Sequence, residues 1–246
     1  APSQKTPLIL PKLEPPKVLK AALTGEMVPL ADLGVFDPQG TPLVLGGSAF
    51  GTAAQAFWKG TGAQFVTTTA TSPGGAEASP LEPGGMVAIN LMQGDLDMSA
   101  SGTITYVDRK RVLCFGHPLF NLGVVDLPLW SASVATVVPS SLMSWKLSTP
   151  VAPVGVLRLD RSSGVAGLLG GEARMIPLRL GLNLGGKRNL NFKFDLMDHP
   201  VVTPNLAALA LVQTLETHSR GVGFQSLSLQ GNIKVAGHPA IQIENV

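Results

Sequence analysis

The chain has 246 residues, of which 45% are hydrophobic and only 14% are charged, with a formal net charge of +2. Its basic residues are scattered, which argues against a nucleic-acid-binding protein, because such proteins present a concentrated Lys/Arg face. The length suffices for one large all-β domain or two smaller barrels, and the 28 Gly and 20 Pro residues favour many short strands and turns.

Residues 1–80 form the first predicted region, a Pro-rich lead-in followed by a small α+β segment and a linker. The lead-in, APSQKTPLILPKLEPPK, is typical of extended chain and shows no signal-peptide pattern. A short strand is predicted from Thr41 to Leu45, and a helix across Gly51 to Lys59 followed by Gln64 to Thr69. The Ser/Pro/Gly/Ala-rich segment from Thr71 to Pro83 is predicted to be the linker.

The second predicted region, residues 81–246, is mainly β and contains a tight hairpin. Thr103 to Val107 alternates as a strand does, Asp108 to Lys110 supplies turn chemistry, and Arg111 to Phe115 follows as a second strand. A glycine and a proline flank His117, so this histidine is predicted where a strand ends and a loop begins. It is either a general base held by a rigid sheet or a histidine that bonds a backbone carbonyl.

Further strands and one helix are predicted after the hairpin. The apolar stretch from Val124 to Trp145 contains an aspartate and two prolines, so it predicts buried strands and no membrane-spanning helix. An alternating hairpin is expected around a Gly-Gly pair. A helix is predicted near 204–219 with Thr203 as its N-cap, and the strand from Phe224 to Val235 is expected to return to the sheet.

The single cysteine and the remaining histidines indicate neither a disulfide nor a metal site. Cys114 is expected to be a buried thiol, because residues three apart on a strand point to opposite faces and a pairing with His117 needs the intervening bend. His199, His218 and His238 are dispersed, with no cysteine or acidic ligand beside them at metal spacing. No metal or cofactor is therefore predicted.

The segment GDLDMSASGTITYVDRKRVLCFGHPLFNLGVVDLPL, from Gly94 to Leu129, resembles the histidine-bearing core of the SpoIVB-type serine peptidase family. The resemblance begins with PGGMVAINLMQGD and continues through VVPSSLMSWK and GVLRLDRSSGVAGLLG, which together cover about a third of the chain. It implies a mainly β, trypsin-like antiparallel β-barrel with a C-terminal helix and a short N-terminal α+β segment. It also implies that His117 is the catalytic histidine and that the protein works outside the cytoplasm.

The family's serine element, a GMSGSP-like string whose glycines shape an oxyanion loop, does not occur in this sequence. The nearest serine-glycine pairs, Ser101-Gly102 and Ser163-Gly164, lack the flanking residues. A processed product, a fragment and a member without catalysis all fit this pattern. The resemblance implies a serine endopeptidase that acts on a protein or peptide, with its nucleophile on an upstream segment or a fragment released by self-cleavage. The alternative is an inactive binding module of an extracytoplasmic assembly.

A catalytic histidine needs a partner that holds its tautomer and stabilises the imidazolium, usually a carboxylate. The acids of the matching core are Asp95, Asp97, Asp126 and Asp160. Asp126 is the candidate, because it follows His117 after a glycine-containing loop that could fold back beside it. An equally good interpretation is that Asp126 caps the turn before the next proline. Asp160 is expected to pair with Arg161 or to anchor a turn near the glycine-rich run.

Overall fold

The structure is a computed structural model that describes residues 42–46, 64–68, 78–139, 145–184, 189–200, 202–218 and 226–244. These residues contain twelve strands and one helix. The predicted helix across Gly51 to Lys59, the Pro-rich lead-in and most of the predicted linker lie outside the described residues.

In chain order the strands are β1 (Pro42–Gly46), β2 (Gln64–Thr68), β3 (Met86–Gly94), β4 (Asp97–Asp108), β5 (Arg111–Cys114), β6 (Gly123–Val138), β7 (Trp145–Arg161), β8 (Gly164–Leu169), β9 (Met175–Asn183), β10 (Asn189–Met197), β11 (Gln230–Ile233) and β12 (Ile241–Glu244). The helix α1 (Val202–His218) follows β10. The mainly β fold with one C-terminal helix agrees with the sequence prediction.

Ten strands form one large sheet in the order β2-β1-β4-β5-β8-β7-β6-β3-β10-β9. Its pairings are antiparallel except for that of β1 with β2. Within this order, β4 is connected to β3 through β5, β8, β7 and β6 in turn. In addition, β4 pairs directly with β3. The six strands β3, β4, β5, β6, β7 and β8 therefore form a closed cycle of pairings, called the six-strand ring below.

The core lies where the ring strands bury one row of alternating side chains, because successive residues of a strand point to opposite faces. This shared core includes Val87, Ile89 and Leu91 of β3, Met98, Ala100 and Ile104 of β4, Val112 and Cys114 of β5, Leu127 and Leu129 of β6, Leu157 of β7 and Val165 of β8. Helix α1 adds Val202, Leu206 and Leu209 to the same cluster. Burial of this row fixes the register of the ring, since a slip by one residue would expose it.

The two N-terminal strands belong to the large sheet. β1 agrees with the strand predicted from Thr41 to Leu45, and it pairs with β4 in a register that sets Leu43 opposite Ala100. β2 lies parallel beside β1. Hydrogen bonds therefore cross the predicted boundary near residue 80, while the division into regions 1–80 and 81–246 stays a prediction.

The N-cap of helix α1 differs from the prediction. The helix begins at Val202, and the Thr203 hydroxyl bonds to the backbone that precedes the helix, so Thr203 is not the cap. The carbonyl of His199 accepts a 3.0 Å hydrogen bond from the Thr203 amide, and its Nδ1 accepts one from the Val202 amide at 3.4 Å. His199 therefore acts as the N-cap, because its carbonyl and its ring both accept amides of the first helical turn. The sequence alone allowed either start, since both Pro200 and Pro204 are suited to the first position of a helix.

The two predicted C-terminal β segments have different outcomes. Strands β9 and β10 pair over nine residues, as the alternating pattern predicts. Strand β11 pairs with β12 in a separate two-stranded sheet, so the expected return of this segment to the large sheet is wrong.

The apolar stretch around Val124 lies in β6, and no helix among the described residues has both the length and the apolar character that crossing a membrane requires.

Candidate active site

His117 follows the β4–β5 hairpin, which the structure confirms. Val107 lies opposite Val112 in this hairpin, and Arg109 in the turn adopts a left-handed φ of 53°. After β5 ends, Phe115 and Gly116 also have positive φ angles, of 73° and 71°. This conformation costs a residue with a side chain about 1–2 kcal/mol. The two consecutive reversals turn the chain away from the strand direction immediately before His117.

Phe115 accepts this backbone because its ring fills a space left by Gly102. A Cβ atom at Gly102 would lie closer than 3.0 Å to three carbons of the Phe115 ring. The Phe115 amide also donates a 2.9 Å hydrogen bond to the Thr103 carbonyl. The ring in turn meets the imidazole of His117 edge to face, with centroids 5.6 Å apart and planes inclined by 75°. The glycine of β4 thus determines where the histidine lies.

The tautomer of His117 follows from its hydrogen bond. Nδ1 lies 2.7 Å from the carbonyl oxygen of Pro118, and because a carbonyl only accepts, Nδ1 must carry the proton. In the neutral ring, the lone pair is then on Nε2. Nε2 makes no hydrogen bond within the part of the chain that the structure describes. This is the tautomer that a general base of the serine peptidase type requires.

The loop after His117 is held by Asp160, which is the next-to-last residue of strand β7 and is fully buried. Its carboxylate accepts hydrogen bonds from the amides of Leu119 at 2.7 Å, Phe120 at 2.8 Å and Leu122 at 3.2 Å. Hydrogen bonds to an ionised group are about twice as strong as neutral ones. Asp160 therefore anchors the histidine loop, which adjoins Gly164 at the start of the glycine-rich run, in agreement with the expected turn-anchoring role. The described residues show no ion pair between Asp160 and Arg161.

Asp126, the acid predicted to orient the histidine, lies in an ion pair. Its Oδ1 accepts a 2.8 Å hydrogen bond from the guanidinium of Arg158 on the neighbouring strand β7. No hydrogen bond between Asp126 and His117 is present in the described ranges, and Nδ1 of the histidine is already bonded to Pro118. The role of Asp126 stays a prediction, while the Pro118 carbonyl occupies the position that a triad carboxylate would take.

The other two candidate acids lie at the turn between β3 and β4. Asp97 accepts a 3.0 Å hydrogen bond from the Gly94 amide, and Asp95 accepts one of 2.6 Å from the amide of Lys193 on β10. Burial raises the pKa of Asp97, and the nearby charge of Asp95 adds to this effect. Both carboxylates serve the connection between β3, β4 and β10, and neither bonds to His117.

Neither serine-glycine pair of the sequence bonds to His117. The hydroxyl of Ser101 is buried on β4 and has no hydrogen-bond partner among the described residues. Ser163 is exposed in the turn between β7 and β8. The next residue, Gly164, packs on the loop that carries the histidine, since a Cβ atom there would lie 3.6 Å from the Gly116 backbone. The turn that carries Ser163 therefore adjoins the histidine loop.

A cleft of about 220 Å³ opens beside Gly116. Leu113, Leu159 and Ala166 form its apolar part, and Thr105, Arg161 and Ser163 contribute its polar groups. At this point the pairing of β4 with β5 shifts register between Ile104 and Tyr106. Such bulges are frequent beside active sites because they re-aim side chains. Sequence reasoning missed this cleft, since its residues come from four different strands.

Cys114 and the metal-binding residue types add no further chemistry. Cys114 is 2% exposed, and burial raises the pKa of its thiol to about 12. A thiol with that pKa stays protonated and unreactive near neutral pH, as expected for a structural cysteine. No three His, Cys, Asp or Glu side chains are grouped so that they could bind a metal in the described residues.

Comparison with known proteins gives no assignment, because no protein-family model, no curated protein and no solved structure matches this chain. The resemblance to SpoIVB-type peptidases therefore depends on the sequence motifs around His117. The site consists of a histidine with a fixed tautomer, a loop anchored by Asp160 and an adjoining cleft.

Proposed function

We propose that this chain supplies the general base, His117, of a serine endopeptidase of the SpoIVB type whose nucleophilic serine lies on an upstream segment or fragment. The observation that carries the proposal is the 2.7 Å hydrogen bond between Nδ1 and the Pro118 carbonyl, because it leaves the Nε2 lone pair to accept a proton. The anchored loop supports it as well, since a general base has to be held within hydrogen-bond reach of the proton it takes.

In the proposed reaction, Nε2 of His117 accepts the proton of the serine hydroxyl as the oxygen attacks the peptide carbonyl. The same proton then passes to the leaving amine, which releases one product and leaves an acyl-enzyme. Water attacks the acyl group in the second half, with Nε2 again taking and returning a proton. The Pro118 carbonyl keeps the ring oriented through both halves. Asp126 is the second candidate for that orienting role, which its ion pair with Arg158 opposes.

The six-strand ring is compatible with the trypsin-like barrel that the resemblance implies. A closed cycle of antiparallel pairings is the pattern of a β-barrel, in which closure removes the free edges of a sheet. The barrel and a location outside the cytoplasm are parts of this proposal.

One observation favours a second candidate function, an inactive peptidase-like module that binds a partner. Among the described residues, His117 has only a backbone hydrogen-bond partner, and no described serine bonds to it. A histidine bonded in this way can serve to close a loop, with no role in proton transfer. In that case the chain would act as a binding or structural subunit of an extracytoplasmic assembly.

Intact-mass analysis of the protein from its native source, combined with labelling by a fluorophosphonate, separates the two functions. The peptidase proposal expects a co-purifying fragment, or an extended form of the chain, whose glycine-flanked serine reacts with the label. His117→Ala should abolish that labelling, and His238→Ala, which changes an exposed histidine, should not. A chain without such a serine, or equal labelling of both variants, would leave only the binding module. Ser163→Ala tests whether Ser163 is the labelled serine.

A further inference from the structure

The last residues of β7 connect the histidine loop to the neighbouring cleft. Asp160 and Arg161 are consecutive in an antiparallel strand, so their side chains point to opposite faces. The Asp160 carboxylate is buried and bonds to the loop after His117, while Arg161 is exposed and lines the cleft. One strand end therefore positions both the candidate base and the cationic group of the cleft.

Of the described residues that line the cleft, Arg161 is the only charged one. Its guanidinium forms no ion pair with a described carboxylate, although other arginines of the described residues do, such as Arg158 with Asp126. Beside it, the exposed Ser163 offers a hydroxyl donor. A guanidinium and a hydroxyl are suited to bind a carboxylate, and the guanidinium does so most strongly when it donates two parallel hydrogen bonds.

The rest of the cleft is suited to an aliphatic chain. Leu113, Leu159 and Ala166 present apolar surface beside the polar groups, and Leu113 is 46% exposed although it is a large hydrophobic residue. The volume of about 220 Å³ is below the lower limit of about 300 Å³ for sites of drug-sized ligands and cofactors. The cleft therefore matches one side chain with a short apolar stem and a negatively charged end.

We propose that this cleft is a subsite for an acidic side chain, glutamate in particular, of an extended polypeptide substrate. The glutamate methylenes lie against Leu113 and Leu159, and its carboxylate bonds to Arg161 and Ser163. Because the cleft adjoins Gly116, the residue before His117, the bound side chain places its own backbone beside the candidate base. That the polypeptide is a substrate rests on the proposed function, whereas recognition of the acidic side chain does not.

The test uses two peptides that differ in a single residue. Each is an alanine-rich hexapeptide with an uncharged coumarin label and an amidated C-terminus, and it carries glutamate in one case and glutamine in the other. Fluorescence anisotropy measures their binding to the purified full chain. We expect the glutamate peptide to bind at least tenfold more tightly, because its carboxylate is charged and can accept two parallel hydrogen bonds from the guanidinium, whereas the glutamine amide is neutral.

Three variants identify the groups responsible. Arg161→Gln should remove the preference for glutamate, and Arg161→Lys should keep part of it, because the charge remains while the paired hydrogen bonds are lost. Arg174→Gln removes one charge from an exposed arginine that does not line the cleft, and it should leave the preference unchanged. Equal binding of the two peptides, equal effects of Arg161→Gln and Arg174→Gln, or no binding of either peptide would overturn the subsite.

The same peptides distinguish failure of the subsite from failure of the peptidase proposal. Binding of the glutamate peptide that depends on Arg161, without cleavage by the form of the protein that carries the serine, supports the subsite and counts against the peptidase. Cleavage of both peptides at equal rates supports the peptidase and overturns the subsite.

Discussion

Asp160 Oδ1 accepts a 2.7 Å hydrogen bond from the amide of Leu119, although the two residues are 41 positions apart in the chain. The second carboxylate oxygen accepts amides further along the same loop. The Asp160 carboxylate thus accepts the amides that would bond to a neighbouring strand if this segment were part of the sheet. These amides lie within a few residues of His117. The stability of the fold and the position of the candidate base therefore depend on the same side chain.

Substitution of Asp160 by alanine should lower the free energy of unfolding by about 3–5 kcal/mol. The change leaves three amides of the histidine loop without their acceptor, and each buried unsatisfied donor costs about 1–3 kcal/mol. Urea unfolding followed by tryptophan fluorescence measures the loss. Asp126→Ala is the matched control, because it removes an aspartate from a partly exposed ion pair and should cost less than about 1 kcal/mol. Similar losses in the two variants would contradict the anchoring role of Asp160.

Substitution of Gly102 by alanine should destabilise the protein by about 1–3 kcal/mol, the usual cost of an overpacked core. The new methyl group would collide with the Phe115 ring and displace the loop that carries His117. Phe115→Ala should remove the collision, so in that background Gly102→Ala should be neutral or slightly stabilising. A double-mutant cycle measured by urea unfolding gives this coupling.

Gly231→Ala is the control for the Gly102 cycle, because a Cβ atom at position 231 meets no other atom within 4 Å. It should change stability by less than about 0.5 kcal/mol. Additive effects of Gly102→Ala and Phe115→Ala would show that the ring does not occupy the space above Gly102.

The N-cap formed by His199 should make stability depend on pH. Burial lowers the pKa of His199 below its ordinary value of 6.5, so the unfolded chain binds a proton at a higher pH than the folded protein does. The stabilisation is therefore complete above pH 6.5 and is lost as the pH falls through the lower pKa of the folded state. Protonation also removes the acceptor that bonds the Val202 amide.

His199→Asn isolates the contribution of this histidine, because asparagine is a good N-cap that does not titrate. The difference in unfolding free energy between the wild type and the variant, measured by urea unfolding, should shift in favour of the variant between pH 7.5 and pH 5. Taking this difference cancels the titration of the other histidines. A difference that does not vary with pH would mean that His199 caps the helix without sensing protons.

Cys114 should resist thiol reagents in the folded protein. Its pKa of about 12 leaves almost no thiolate at pH 8, and the side chain is 2% exposed. Reaction with a chromogenic disulfide should be complete within minutes in denaturant and should take hours or longer without it. Cys114→Ala should leave any hydrolytic activity unchanged. Rapid labelling of Cys114 in the folded protein, accompanied by loss of activity, would instead support the hypothesis that Cys114 and His117 form a nucleophile pair.

The sequence by itself determined the elements whose signals are local. Alternation from Thr103 to Val107 and the turn residues that follow identify the hairpin before His117, because strand period and turn chemistry are properties of a few adjacent residues. The hairpin of β9 and β10 follows from the same logic. Helix α1 is also predicted from the sequence, but its N-cap is not. Pro200 and Pro204 can each begin a helix, and the sequence alone does not decide between them.

The tertiary structure decided which distant residues meet. Closure of the six-strand ring brings Asp160 to the histidine loop, sets the Phe115 ring over Gly102 and gathers the cleft around Arg161. The same closure pairs Asp126 with Arg158, whereas the short distance along the chain between Asp126 and His117 had suggested a contact with the histidine. Local patterns do not specify these contacts, because they depend on strand order and register, which burial of the whole core determines at once.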